Sequence, residues 1–202
     1  MKNAFRLTCL AIGLCFTALP AQAIDFKPYA GAGAGTFVID AGLGSDNVFG
    51  YYGVLGADLH EYYGFELRIG NIGDTVGSQA QIYVPPDGGD FPPFLVTTPV
   101  EAGIDYFIAY LFKAQYPVVE NLRIYGVIGA TTMKATLTFA GGTASDVSTT
   151  FSFGGGVDYR VAPQWLVALD GTVYANSADT DNPAKFDGLD VWGFTGMVKY
   201  EF

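Results

Sequence analysis

The chain has 202 residues, of which half are hydrophobic and 15% aromatic, with 27 glycines and a formal net charge of −10. So many aromatic residues are not typical of a disordered chain, and the acidic balance argues against a nucleic-acid partner. A single folded domain is expected at this length.

The first 23 residues have the pattern of a cleaved secretory signal peptide. A positively charged start is followed by an apolar run over residues 7–19 and by a small-x-small cleavage site that ends at Ala23. Both cysteines, Cys9 and Cys15, lie inside this segment, so the mature chain has no disulfide or thiolate metal site. The sequence therefore predicts export and one domain over residues 24–202.

Eight segments of the mature chain alternate between apolar and polar residues with the period of a β-strand. The predicted strands are 29–39, 48–59, 62–70, 103–113, 122–133, 149–161, 165–175 and 189–202. A tilted strand needs about 9–11 residues to cross a bilayer, and these segments have that length. No later apolar run reaches the roughly 18 residues of a spanning helix, so strands are the expected spanning elements.

One phase of these strands carries no charge, and the final strand shows this most clearly. Steps of two back from its end give Phe202, Tyr200, Val198, Gly196, Phe194 and Trp192. Arg or Lys facing lipid at mid-depth costs about 2–4 kcal/mol, so an uncharged stripe is typical of a barrel wall in a membrane.

The opposite phase holds charged residues of both signs. The acids are Asp58, Glu66, Asp105, Asp158, Asp170 and Glu201, and the bases are Arg68, Lys113, Arg123, Arg160 and Lys199. Because an unpaired buried charge is costly, this near balance predicts a salt-bridge network in the lumen. Eight strands enclose just enough room for side chains, so we expect these charges, with Tyr52, Tyr125 and Tyr174, to plug the barrel.

The predicted connections alternate in length. Those after the second, fourth and sixth strands are short, whereas the others are long, which is the asymmetry of periplasmic turns and outer loops. The longest, 71–102, contains a run rich in Pro and Gly. The long connections carry most of the negative charge, and they offer candidate contacts for a cationic or divalent-bridged partner at Asp87, Asp90, Asp179, Asp181 and Asp187.

The residue types that catalysis requires are scarce. The sole histidine, His60, falls in a predicted turn, so a Ser-His-Asp or Cys-His site has nothing to build on. The glycines of 31–35 lack the spacing of a nucleotide-binding loop, and the acidic segment from Asp179 departs from a calcium loop at Pro183. We therefore expect no enzymatic activity, no cofactor and no metal site.

The chain resembles the small eight-stranded outer-membrane barrels of Gram-negative bacteria, the opacity-protein and OmpA-like membrane-domain group. The features that carry the resemblance are the signal peptide, the eight strands and the terminal Tyr200-Glu201-Phe202. The resemblance implies an all-β, antiparallel up-and-down transmembrane barrel in the outer membrane. It implies lipid and lipopolysaccharide as surroundings, and a barrel-assembly machinery that reads Phe194, Tyr200 and Phe202. The family pattern favours Gly where this chain has Met197.

The expected function is that of a non-enzymatic surface barrel, with a role in adhesion to host or environmental ligands or in membrane integrity. The alternative is a narrow channel or a lateral transporter for small apolar solutes, as in OmpW-like relatives. A lipid-modifying enzyme is a third hypothesis, which the missing histidine disfavours. The competing fold is a soluble lipocalin-like barrel, which would have apolar residues inside and charges outside.

Overall fold

The computed structural model describes residues 26–40, 45–73, 78–84, 94–139, 142–176 and 190–202. The signal segment and the loop candidates Asp87, Asp90, Asp179, Asp181 and Asp187 lie outside these ranges. The described chain consists of strands and turns, and the strands are β1 (Lys27–Asp40), β2 (Ser45–His60), β3 (Tyr63–Ile72), β4 (Ser78–Val84), β5 (Phe94–Val119), β6 (Leu122–Phe139), β7 (Gly142–Ala162), β8 (Trp165–Ala175) and β9 (Asp190–Glu201).

The sheet closes on itself. Its order is β3-β2-β1-β9-β8-β7-β6-β5-β4, and an additional antiparallel pairing of β3 with β5 completes the ring. Within the described ranges β4 pairs with the first part of β5 alone, from Ser78↔Val100 to Val84↔Phe94, so it stands outside the ring. The remaining eight strands form a closed antiparallel up-and-down barrel, and the predicted fold class is confirmed.

Three strands are much longer than predicted. β5 begins at Phe94, and β6 and β7 remain paired from Lys134↔Val147 to Phe139↔Gly142, a stretch that the sequence analysis assigned to a connection. That assignment was wrong. The assignment of residues 78–84 to a connection was also wrong, because they form β4. The outer residues of β7 are exposed or half-buried on both faces, so they show none of the alternation from which strands are predicted.

The two ends of the barrel differ. Two-residue turns at 61–62, 120–121 and 163–164 join β2 to β3, β5 to β6 and β7 to β8 at one end. The first residues of β1 and the last of β9 lie at that same end, where the Phe202 N–H donates to the Pro28 carbonyl at 3.0 Å. Short turns identify this end as periplasmic, and the long β5–β7 extension projects from the other end.

The outer wall is apolar along its middle and aromatic toward both ends. Leu55, Ile69, Ile128, Leu169 and Val198 are among the exposed residues of the middle. The exposed aromatic residues include Phe49, Tyr51, Tyr106, Phe151 and Trp192 toward the outer end, and Tyr62, Tyr63, Tyr116, Tyr159, Trp165 and Phe202 toward the periplasmic end. Apolar bands between aromatic girdles are the surface of a membrane barrel, and the lipocalin-like alternative is wrong.

Candidate functional site: the closed lumen

Arg68 on β3 is the centre of an ion network inside the barrel. Its side chain is fully buried, and its Nε donates to Glu66 at 2.6 Å. Both terminal nitrogens donate to Asp170 on β8, across the ring, at 2.9 and 3.0 Å. The same guanidinium donates to the Tyr174 hydroxyl at 2.8 Å. Because a guanidinium matches a carboxylate with two parallel hydrogen bonds, one arginine ties opposite walls together.

Two lysines extend the network toward the periplasm. The Lys199 Nζ donates to Glu66 at 3.3 Å and to Asp158 at 3.1 Å, and the Lys113 Nζ donates to the other Asp158 oxygen at 2.7 Å. The Tyr29 hydroxyl donates to Glu66 at 2.9 Å. Each of these charges is buried but has an opposite charge within reach, which is the condition for tolerating it.

The last two pairs lie near the periplasmic mouth. Arg123 donates to Asp58 at 2.7 Å, and Arg160 donates to Glu201 at 2.5 Å. Their arginines are partly exposed, with side-chain accessibilities of 18% and 28%. Of the predicted lumen charges, the structure thus brings together all five bases with five of the six acids, a balanced set.

Asp105 is the predicted lumen acid that lies elsewhere. Its side chain is 39% exposed and pairs with Lys134 at 2.6 Å. The β5–β6 register shifts between Ile104 and Tyr106, so Ile104 points inward in place of its neighbour Asp105, which was predicted to do so. The Asn71 side chain donates to the Asp105 carbonyl at 2.7 Å. A β-bulge reverses the alternation on one side of it, which is the reason for this correction.

The outer half of the lumen is apolar, which the sequence analysis did not predict. The buried rings of Phe37, Phe107 and Tyr174 contact one another, with centroids 5.2 to 6.2 Å apart, and the Tyr52 ring lies 5.9 Å from Phe107. Other buried side chains of this cluster are Ile39, Ile72, Ile104, Met133 and Val191. The signal was present in the sequence as apolar residues on the inward phase near the outer strand ends.

Met197 occupies the position where the family favours glycine. Its side chain is buried in the lumen, and its register partner on β1 is Gly33. A Cβ on Gly33 would overlap both the Met197 side chain and the Tyr52 ring. Gly33 therefore leaves the room that the Met197 side chain and the Tyr52 ring occupy.

The remaining predicted residues lie outside the lumen network. His60 is the last residue of β2, and its ring stacks on Tyr63 with centroids 5.3 Å apart. Phe194 and Phe202 are exposed on the outer wall, and the Tyr200 ring packs edge-on against Trp165 and Phe202. These three aromatic residues are thus placed to contact lipid or another barrel strand. Their recognition by the assembly machinery stays a prediction.

The described residues hold no group of three or more His, Cys, Asp or Glu side chains arranged to bind a metal. In the same ranges there is no helix of the length and hydropathy that a bilayer crossing requires.

Comparison with known proteins assigns this architecture to a family. The family model described as "Outer membrane protein beta-barrel domain" matches residues 7–202. The chain belongs to this family, and its location is the outer membrane. A search of curated proteins by sequence finds no match.

Solved structures share the fold at low sequence identity. Neisserial surface protein A is 15% identical with a TM-score of 0.62, and the alignment covers 87% of this chain and 97% of that protein. Ail, the attachment invasion locus protein of Yersinia pestis, is 13% identical with a TM-score of 0.53, and the alignment covers 88% of this chain and 97% of Ail. The N-terminal barrel of Pseudomonas aeruginosa OprF is 13% identical with a TM-score of 0.53, covering 88% and 98%.

Proposed function

We propose that this protein is a non-enzymatic surface barrel that presents its outer sheet to ligands outside the cell. The observation that carries the proposal is the continuation of β5, β6 and β7 beyond the ring, with β4 added at the edge of β5. A barrel that only filled space in the membrane would need no sheet above it. The extension therefore provides a contact surface held by the rigid barrel wall.

The edges of this sheet favour strand-to-strand contact. Among the described strands β4 pairs with β5 alone, and the outer part of β7 pairs with β6 while its pairing with β8 begins at Phe153. Open strand edges are templates for an added strand from another chain. Short polar residues, mostly Ser and Thr, fill the outer part of β7 and keep it soluble until a partner binds.

The sequence charge favours a basic or divalent-bridged partner. Ail has been crystallised with the heparin analogue sucrose octasulfate, a sulfated sugar. The predicted loops here are acidic, so a partner of the opposite charge type suits this chain better. Attraction between exposed charges is screened over roughly 8–10 Å at physiological salt, so adhesion that depends on it will weaken as salt rises.

Shortening the β6–β7 hairpin tests the proposal. Replacement of residues 136–145 by Asn-Gly keeps the barrel pairs from Ala130↔Phe151 inward, so the variant should still assemble and resist SDS until heated. We expect cells that display the intact protein to adhere to at least one of a panel of basic-protein and matrix-coated surfaces. The shortened variant should lose most of that adhesion.

A control variant changes the other end of the molecule by alanine replacement of the exposed turn residues Glu120 and Asn121. This control should adhere like the intact protein. Equal adhesion of the shortened hairpin, or no adhesion of the intact protein above empty cells on any surface, would refute the proposal.

The channel alternative makes a different prediction. Because an aromatic layer lies over a buried ion layer in the lumen, we expect planar bilayers containing the protein to show no discrete conductance steps at 1 M salt. A reconstituted porin serves as the positive control for insertion. Reproducible steps from heat-modifiable protein would favour the channel over the surface barrel.

A further inference from the structure

The sheet that projects above the ring has an open edge on each side, as far as the described strands show. Its order is β4-β5-β6-β7. β4 pairs with β5, and the outer stretch of β7 from Gly142 to Thr149 pairs with β6, whereas the pairing of β7 with β8 begins at Phe153. An edge strand presents backbone N–H and C=O groups that can pair with another chain. Both sides of this sheet can therefore accept a strand.

The two edge strands run in opposite directions. β7 begins at Gly142, at the outer end of the molecule, and reaches the periplasmic end at Ala162. Three successive antiparallel pairings join β4 to β5, β5 to β6 and β6 to β7, so β4 is antiparallel to β7 and runs away from the membrane. The sheet thus has one edge that ascends and one edge that descends.

Copies in one membrane all have the same end outward, and this restricts how their edges can meet. Two β7 edges would both descend, and two β4 edges would both ascend, so like edges could pair only in parallel. A shift along the membrane instead places β4 of one copy beside β7 of the next, and these two strands are antiparallel. Antiparallel ladders are slightly more stable per residue than parallel ones, so the unlike edges are the better match.

The tilt of the strands brings parts of the two edges to the same height. A row of register partners that starts at Tyr63, the first residue of β3, reaches β9 at Phe194, near the outer end of that strand. Ser78 and Gly142 belong to another such row. Strands of membrane barrels tilt by about 35–45°, so three steps of about 4.8 Å along this row raise Gly142 by about 9 Å, or about four residues. About four residues at the start of β4 and at the start of β7 therefore lie level.

The sequences of the two edges do not oppose pairing. Proteins commonly protect an exposed edge with Lys, Pro or a β-bulge. β4 contains no charged residue and no proline. The open stretch of β7 contains one charge, Asp146, and its register with β6 is unbroken. Contact between β4 and β7 brings no like charges together, whereas contact between two β7 edges would bring together two copies of Asp146.

We infer that copies of this protein join edge to edge in the membrane, with β4 of one copy added to β7 of the next. The contact uses different surfaces on the two partners, so it does not stop at a dimer and continues into a row or a ring. The sheets of successive copies then form one continuous surface above the membrane. The inference goes beyond the surface function proposed above, because it concerns the assembly of the sheet and holds whatever ligand the sheet binds.

Cysteine crosslinking tests this contact, because the sequence has no cysteine after Cys15. Ala80→Cys and Ala144→Cys place thiols on β4 and on the open stretch of β7. Outer membranes are treated with a bis-maleimide of about 10 Å, which is shorter than the about 14 Å that three strand spacings put between β4 and β7 of one copy. On denaturing gels we expect dimers, trimers and larger species from the double variant. Co-expressed single variants should give dimers alone, and either single variant by itself should remain monomeric.

Two control variants distinguish pairing of strands from chance collision. Ser45→Cys, at an exposed position where β2 begins, replaces the Ala144→Cys change and should give no ladder with Ala80→Cys. Replacing the other residues of β4 by glycine and serine, with both thiols retained, should abolish the ladder. That barrel should still resist SDS until heated, because β4 lies outside the ring.

Three results would overturn the inference. The first is a double variant that stays monomeric although its barrel resists SDS until heated. The second is a dimer from Ala144→Cys alone that matches the yield of the double variant, since it would mean that like edges meet. The third is a ladder that persists when β4 is replaced by glycine and serine.

Discussion

Replacing Arg68 by Met should lower the free energy of unfolding of the barrel by about 3–5 kcal/mol, because it leaves buried carboxylates without their main partner. Glu66 would keep Lys199 and Tyr29, but Asp170 would keep only the hydroxyls of Tyr125 and Thr172. Urea titration in phospholipid vesicles measures the loss. Trp165 and Trp192 both lie exposed on the outer wall, so their fluorescence reports transfer from lipid to water.

Two comparisons isolate the electrostatic cause. Adding Asp170→Asn to the Arg68→Met variant removes one carboxylate for the one guanidinium lost, so the lumen charges balance again and most of the lost stability should return. Arg160→Met breaks the partly exposed pair with Glu201 and should cost about 1 kcal/mol or less. If Arg68→Met proved as mild as Arg160→Met, the assignment of Arg68 as the centre of the network would be wrong.

Replacing Phe107 by Ala should also cost about 3–5 kcal/mol, the range for removing a buried aromatic ring without collapse of its surroundings. The Phe107 side chain is fully buried, and its ring contacts Phe37, Tyr52 and Tyr174. These residues are on different strands of a closed ring, so they have little freedom to close the gap. The same urea titration measures the change.

Phe49→Ala is the matched control for the aromatic layer. Phe49 is 67% exposed on the outer wall, so lipid fills the space that its ring leaves, and the expected cost is about 1 kcal/mol or less. The Phe107 variant should stay free of conductance steps because the Arg68 layer beneath it remains. An unchanged unfolding midpoint for Phe107→Ala would contradict the closed apolar layer.

Strands that have one lipid face and one packed face were predictable from the sequence. The prediction for β8, residues 165–175, agrees with Trp165–Ala175 because its exposed and buried residues alternate over nearly the whole strand. β4 and the outer parts of β5 to β7 were not predictable from periodicity, since the solvated β7 extension has no apolar face. The bulge beside Ile104 was missed for a related reason: a single extra residue leaves each short run of alternation intact while changing its phase.

The balance of the lumen charges was readable from the inward phase, but their pairing was not. Arg68 and Asp170 are separated by 102 positions in the sequence, and their contact depends on strand number and stagger around the ring. The apolar layer could have been predicted from the sequence by following the inward-facing residues of each strand to its outer end. Residues such as Phe37 and Phe107 then stand out as the cap above the charges.

The first and last strands of the chain, β1 and β9, pair with each other, and this pairing affects the rate of folding. Tyr29 pairs with Glu201, and the same terminal strand supplies Lys199, which neutralises Glu66 and Asp158. Contacts between such distant parts of a chain form slowly, because loop entropy is lost before they stabilise the structure. Folding should therefore be limited by the arrival of β9, and in a chain stalled before that step Glu66 and Asp158 would lack the lysine that joins them, so the ion network would stay divided into separate pairs.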